Sequence, residues 1–193
     1  PSGVTVINDN TFEYCKKLKR LNSNVNGECL IPSGITSIGQ SAFEECTSLS
    51  SVTIPDSVTS IGNRAFYYCN GLTAITLSNS ITSIPNYMLY LCAYIRNITI
   101  PSGVTSIGEH SFRQCYRLQS VTIPSGVTSI GQWAFYNCSG LASFTCLATT
   151  PPTLGNYALG STNGCPIYVP SGSVSAYQSA SGWSTYASRI TAI

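Results

Sequence analysis

Few residues in this 193-residue chain are suited to chemistry, and their spacing limits what they could do. Nine cysteines and a single histidine raise three readings: a metal site, a thiol nucleophile, or a disulfide framework. A metal site needs ligands gathered around a point, and no C-x-x-C pair occurs. Instead Cys46, Cys69, Cys92, Cys115 and Cys138 follow one another at intervals of 23 residues. A nucleophile needs a base beside it. His110, the one histidine, falls in a slot that also holds Ser41, Arg64, Tyr87 and Trp133. So mixed a slot reads as solvent-exposed surface. The seven acids are Asp9, Glu13, Glu28, Glu44, Glu45, Asp56 and Glu109. A glycosidase needs two carboxylates at a set separation, and only the adjacent Glu44 and Glu45 come near one another, with side chains expected to diverge. Neither G-x-x-x-x-G-K-[ST] nor G-x-G-x-x-G is present to cradle phosphate. The expectation is a non-enzyme with no catalytic residue, no metal and no cofactor.

The same 23-residue interval governs the elements around these residues. Ile38, Ile61, Ile84, Ile107 and Ile130 recur in the frame of the cysteines, as do Phe43, Phe66, Leu89, Phe112 and Phe135. In "LSSVTIP", Leu49, Val52 and Ile54 alternate with Ser51 and Thr53, the period-2 pattern of a strand with one buried face. Pro55 ends that strand because it has no N–H to give a ladder. "SVTSIG" reads as a second short extended run with Val58 and Ile61 inward. "NRAFYYC" reads as one helical or 3₁₀ turn that presses Phe66 and Cys69 into the core. Each unit is then one coil of a solenoid. Its eight or so buried apolar side chains, roughly 1.5–3 kcal/mol each, do not offset the ordering of a whole coil at roughly 1–2 kcal/mol per residue. Stacking on neighbours has to supply the rest.

Strands that stack coil on coil lie about 4.8 Å apart, which is near the Cα separation of a disulfide. Equivalent side chains point in parallel, however, rather than at each other. The cysteine column therefore reads as buried free thiols behaving as small hydrophobes. Cys29 and Cys146 fall at the inward strand positions of Val52 and Ile123 and join the core, while Cys165 is undetermined.

Repeats occupy residues 1–150. The first is partial, with Ile7, Phe12 and Cys15 in the Ile, Phe and Cys columns, and an insertion of eight residues falls near 19–28. Residues 151–193 read as a degenerate last repeat and a C-terminal cap. In them "LGNYAL" echoes "IGQWAF", Ile167 and Val169 form an inward strand, and Trp183, Tyr186 and Ile190 take helical spacing. The chain begins in mid-repeat without a polar cap, which suggests a fragment whose export signal lies upstream or has been removed.

The recurring motif C-x-x-L-x-S-V-T-I-P-x-x-V-T-S-I-G-x-x-A-F, over roughly residues 4–147, resembles the BspA-type leucine-rich repeat of bacterial cell-surface and secreted proteins. A period of 23 falls within the leucine-rich-repeat range. The tail "CPIYVPSGSVSAYQSASGWSTYASRI" resembles the C-terminal segment of such proteins from gut anaerobes. The resemblance implies a mainly-β solenoid: a right-handed coil with a parallel concave sheet, short helical turns and a C-terminal cap. It also implies location at the cell surface or outside the cell, and a role in adhesion or binding. It carries over no functional residue, because the shared motif is made of packing residues.

Binding surface must come from the outward positions. Only 8% of residues are charged and the net charge is +2, too little to argue for nucleic acid or an anionic membrane. No apolar run reaches the length of a membrane span. The cluster Lys16, Lys17, Lys19 and Arg20 reads as a solvated face. Two ladders remain. Outward strand positions place Thr53, Thr76, Thr99 and Thr122 in a row, with Asn97 beside them. Past the Phe column run Tyr67, Tyr90 and Tyr136, with Tyr68 and Trp133 near. The leading expectation is a non-enzymatic binding module that recognises a protein or glycan through its curved sheet. It would act as a monomer, with the uncapped N-terminal end open to contact. The alternative is a structural spacer or stalk of a larger surface protein.

Overall fold

The computed structural model describes residues 3–21 and 29–193. Of the expected insertion near 19–28, residues 22–28 lie outside the described residues. The described chain winds into a solenoid of seven coils, each crossing one two-residue strand of the Ser-Ile column, from Val6–Ile7 to Thr153–Leu154. All strand pairs are parallel, and most pair residues 23 apart, such as Val52 with Ile75 and Ile38 with Ile61; Val6 with Ser37 spans the insertion and Ser129 with Thr153 one extra residue. The alternation read from the sequence sets the faces. Val52, Ile75, Val121 and Phe144 are buried, while Thr76 and Thr122 face solvent.

The sheet on this side of the coils is interrupted. Strands Ser51–Thr53 and Ala74–Thr76 pair with Cys29–Leu30, and Ser120–Ile123 and Ser143–Cys146 pair onward into the tail. Where a strand was expected over residues 96–100, there is only a bridge from Asn97 to Ser120. Asparagine stands there where other coils carry Ser or Ala, and Asn is a poor strand former. The Ser-Ile ladder has its own break, between Ser60–Ile61 and Ser83–Ile84. The cause is visible in the sequence. The amides of Gly39, Gly62, Gly108, Gly131 and Gly155 each donate to the Ile carbonyl one coil back, at 2.7–2.8 Å. Pro85 occupies that column and has no N–H to give to Ile61. A glycine also allows close approach here: a Cβ on Gly62 would lie 2.4 Å from the Gln40 amide nitrogen.

The third side of each coil departs from the expected helical turn. No helix forms between residues 41 and 46 or their equivalents. Two residues per turn take left-handed backbone: Ser41 and Glu45, Arg64 and Tyr68, Tyr87 and Leu91, His110 and Gln114, Trp133 and Asn137. With left-handed residues four apart, every second amide of the turn points along the solenoid axis. Ser41, Phe43 and Glu45 donate to Asn63, Ala65 and Tyr67 of the next coil, at 2.8–2.9 Å. The amides between them close tight turns within the coil, Glu44 to Ser41 and Cys46 to Phe43. A continuous 3₁₀ turn would give all of these amides to the coil's own carbonyls and lose the bonds between coils.

Phe12, Phe43 and Phe66 stack at 5.1–5.2 Å inside this wall, and Phe112 on Phe135 at 4.9 Å. The cysteine column is buried and free, except that Cys15 in the first coil is exposed. In the tail, helix Val174–Ser179 and the 3₁₀ segment Trp183–Arg189 carry Tyr177 and Trp183 into the core. Ile190 does not continue a helical stripe. It begins the strand Ile190–Ala192, which pairs in parallel with Ile167–Val169. A strand satisfies the open sheet edge, which a helix could not.

Candidate functional site

The threonine ladder faces outward as expected, with Thr76, Thr99 and Thr122 exposed and Thr53 half-buried. Its relief comes from the missing strand. There Asn97, Thr99 and Thr122, with Ile98 and Leu147, line a shallow depression of about 450 Å³. On the Ser-Ile side, a shallow trough of about 800 Å³ runs over Ile and Gly backbone from Ile61 to Leu154. Its floor repeats a Ser/Thr-Ile/Leu pair, and its rim changes from Asn63 and Asn86 to Glu109, Gln132 and Asn156.

The left-handed turns build a different surface. A residue with positive φ at the first turn position sets its side chain in the outer wall of the coil, next to the residue three positions on. Two columns therefore run side by side along the solenoid, Ser41, Arg64, Tyr87, His110, Trp133 and Tyr157 beside Glu44, Tyr67, Tyr90, Arg113 and Tyr136. Tyr67 stacks on Tyr90 at 4.9 Å, with ring planes 4° apart. Tyr87 stacks on His110 at 4.4 Å and 9°. Trp133 follows at 4.7 Å from His110, and Tyr157 at 6.2 Å from Trp133. Two guanidinium groups lie among the rings. Arg64 sits 4.8 Å from the Tyr67 centroid and 5.7 Å from Tyr87. Arg113 lies 5.2–5.7 Å from Tyr136, Tyr90 and Trp133. Such contacts contribute roughly 0.5–1 kcal/mol each at exposed sites.

His110 corrects the sequence expectation, being 6% exposed rather than a surface side chain. The mixed slot signalled stacked side chains, not a solvated one. Burial and the Arg113 charge hold its pKa below the ordinary 6.5, against a smaller pull from Glu109. Its Nδ1 faces Arg113 Nη1 at 3.2 Å, so the neutral ring accepts that hydrogen bond. The carboxylates diverge as expected. Glu44 accepts from the Ser41 hydroxyl at 2.7 Å, and Glu45 pairs with Lys16 at 3.2 Å.

Of the sequence-predicted residues, Tyr67, Tyr90 and Tyr136 are brought into one row. Thr53, Thr76, Asn97, Thr99 and Thr122 lie along the separate strand face. Sequence reasoning missed Arg64, Arg113, Tyr87 and Tyr157. Arg113 stands in the Tyr67 column at the 23-residue spacing, so the repeat frame held the signal for it. Among the described residues, no group of three His, Cys, Asp or Glu is placed to hold a metal ion. No helix among them is long and apolar enough to cross a membrane.

Comparison with known proteins agrees with this architecture. A family model for the BspA type leucine rich repeat region matches six copies, over residues 1–29 and 27–142. A leucine-rich repeat protein of T. pallidum is similar in structure, with a TM-score of 0.65 and 25% identity over 74% of this chain and 68% of that one. A leucine rich cell surface protein of Faecalibacterium prausnitzii gives a TM-score of 0.51 and 26% identity over 76% of this chain. The chain spans 58% of the length of that F. prausnitzii protein. A search of curated protein sequences returned no match. With the repeat model matching most of its length and the parallel coils in place, the chain belongs to the BspA-type leucine-rich repeat family.

Proposed function

We propose that this chain is a non-enzymatic protein-recognition module, displayed on or outside a bacterial cell, that binds its partner along the stacked row of its turn edge. The observation that carries this reading is the choice of residues at the left-handed positions. Arg64, Tyr87, Trp133 and Tyr157 hold φ between 53° and 59°. Glycine or asparagine would sit there at less cost, and bulky side chains are unusual. Outward-pointing bulky residues kept in strained backbone favour selection for the surface they make. The row also varies from coil to coil, whereas the threonine face repeats, as it would in a spacer.

Stacking favours a protein over a glycan as the partner. Sugars bind aromatic residues through ring faces, and here Tyr67 and Tyr90, like Tyr87 and His110, cover each other's faces. Ring edges and hydroxyls remain, together with two guanidinium groups, a composition typical of protein interfaces. Placement outside the cell draws on family membership and on the F. prausnitzii relative's description as a cell surface protein.

Panning a random peptide library against the chain tests this reading. Recovered peptides should lose binding to a Tyr90→Ser, Tyr136→Ser variant and keep it in a Thr99→Lys, Thr122→Lys variant. Peptides lost in the threonine variant instead would move the site to the strand face. If no peptide depends on either face, the spacer reading gains.

A further inference from the structure

The row carries two guanidinium groups, and its one carboxylate, Glu44 at the end of the column, lies outside ion-pair distance of both. Among the described residues Lys16 pairs with Glu45, and neither Arg64 nor Arg113 has a carboxylate within ion-pair distance. The acids nearest the row are otherwise engaged or too few. Glu45 is turned to Lys16 and Glu44 to Ser41, and only Glu109 remains beside His110. His110 adds no charge of its own, since its Nδ1 accepts from Arg113. Arg113 also holds its Nε buried with no hydrogen-bond partner.

Ring faces hold the two guanidinium groups, and ring edges and hydroxyls lie beside them. The edges of stacked rings are the positive rim of the aromatic quadrupole. Tyrosine hydroxyls add donors. Arg64 keeps its N–H groups for an anion, while Arg113, with Nη1 on His110 and Nε buried, has Nη2 left to reach one. Arg64 and Arg113 belong to coils two apart, which at about 4.8 Å per coil separates them by roughly 10 Å along the axis. We propose that this row takes an acidic peptide segment of the partner, with two carboxylates about that distance apart seated on Arg64 and Arg113. The proposal rests on the protein-recognition reading of the same row and adds the chemistry of its partner. An acidic polysaccharide carries similar charges, but the mutual stacking leaves few ring faces for its sugars.

Fluorescence anisotropy with a labelled deca-glutamate peptide tests the charge. Labelled deca-lysine and polygalacturonate serve as the contrasting probes. Deca-glutamate should bind, deca-lysine should not, and affinity should fall as salt is raised. Arg64→Gln with Arg113→Gln should weaken it at least roughly tenfold, the loss expected for charge-assisted hydrogen bonds. Because glutamine retains part of each stem, thermal melts of this variant should stay close to the parent and separate lost charge from lost fold. Should the pair of substitutions unfold the chain, each is tested singly by the same titration. No binding of deca-glutamate, or equal binding by the variants, overturns the proposal. Binding of polygalacturonate without deca-glutamate assigns the charge to a glycan and overturns it as well. The peptide library separates the two levels. Row-dependent peptides without enrichment in Asp and Glu refute the acidic partner and leave protein recognition standing, whereas the absence of any row-dependent peptide removes both.

Discussion

The thiol of Cys69 donates a 3.0 Å hydrogen bond to the carbonyl oxygen of Phe43, one coil earlier. The same bond recurs from Cys46 to Phe12, Cys92 to Phe66, Cys115 to Leu89 and Cys138 to Phe112, at 3.0–3.3 Å. The column is thus more than small apolar filling. Each sulfur ties its coil to the one before, and its S–H has a defined acceptor. Thiolates are the reactive form, and burial pushes the pKa of Cys46, Cys92 and Cys138 to about 12 and that of Cys69 and Cys115 well up. At pH 8 a thiol reagent should therefore label exposed Cys15 quickly and leave the column untouched until denaturant is added. Mass mapping that finds any of the five labelled in the folded chain would contradict the packing described.

The same shifts link stability to alkaline pH. A thiol whose folded pKa lies above its unfolded value of 9.0 contributes its stabilisation in full below pH 9. That contribution is lost as pH rises from 9 towards 12, because the unfolded chain ionises first. Each such thiol removes up to about 1.4 kcal/mol per pH unit in that window. Melting temperature should hold steady to about pH 9 and then fall steeply, and replacing Cys92 with Val should flatten the fall. A flat profile to pH 11 would contradict it.

The coil-by-coil frame was legible in the sequence because packing residues must recur wherever coils stack. Hence the inward strand positions and the Phe and Cys columns were readable. Cys29 and Cys146 were too, and they pair in register with Val52 and Ile123. The turn was misread because "NRAFYYC" has the composition of a helical turn, and its left-handed residues are not Gly or Asn in most coils. Left-handed backbone at Tyr87 or Trp133 has no local sequence signal. It is enforced by the amide ladder to the neighbouring coils, a tertiary effect. That error also hid the candidate site, since only the turn geometry brings Arg64 and Arg113 among the tyrosines.

Burial separates two neighbours by cause. Phe112 is 1% exposed and stacks on Phe135, so Phe112→Ala should cost roughly 3–5 kcal/mol by chemical denaturation. His110→Ala removes a buried ring stacked on Tyr87 and should cost about 1–2 kcal/mol. His110 also has a pH signature. Its folded pKa is depressed, so its contribution is complete above 6.5 and declines as pH falls below that value, where the unfolded chain takes up the proton. A His110→Phe variant should lose this acid sensitivity. If stability below pH 6.5 is unchanged by that substitution, the ring is not held as described.

Pro85 interrupts the Ser-Ile ladder by lacking an N–H, so Pro85→Gly should restore the bond to the Ile61 carbonyl. A backbone hydrogen bond contributes about 0.5–1.5 kcal/mol, and the added freedom of glycine in the unfolded chain offsets most of it. Stability should change by less than about 1 kcal/mol, while hydrogen exchange reports the new ladder. The amides of residues 83–85 should exchange more slowly than the Ser83 and Ile84 amides of the parent. Unchanged exchange there would mean that something other than the missing donor keeps the two coils apart.

The tail carries the clearest link between packing and solubility. Trp183 is fully buried and donates from Nε1 to the Pro152 carbonyl at 2.7 Å. Tyr177 meets it edge-on at 4.8 Å and donates to the Ala148 carbonyl at 2.7 Å. Both rings therefore seal the end of the core and are not available to a ligand. Strand Ile190–Ala192 covers the edge of Ile167–Val169, which would otherwise present unpaired backbone beside buried apolar side chains. Trp183→Ala should cost roughly 3–5 kcal/mol, whereas Trp183→Phe keeps most of the packing and should lose about 1–2 kcal/mol with the hydrogen bond. Deleting residues 171–193 removes strand and rings together. Size-exclusion chromatography with light scattering should then show dimers or larger aggregates, because an exposed edge strand pairs with another chain. A truncated chain that stays monomeric, with the melting temperature of the parent, would show that the last coil needs no cover.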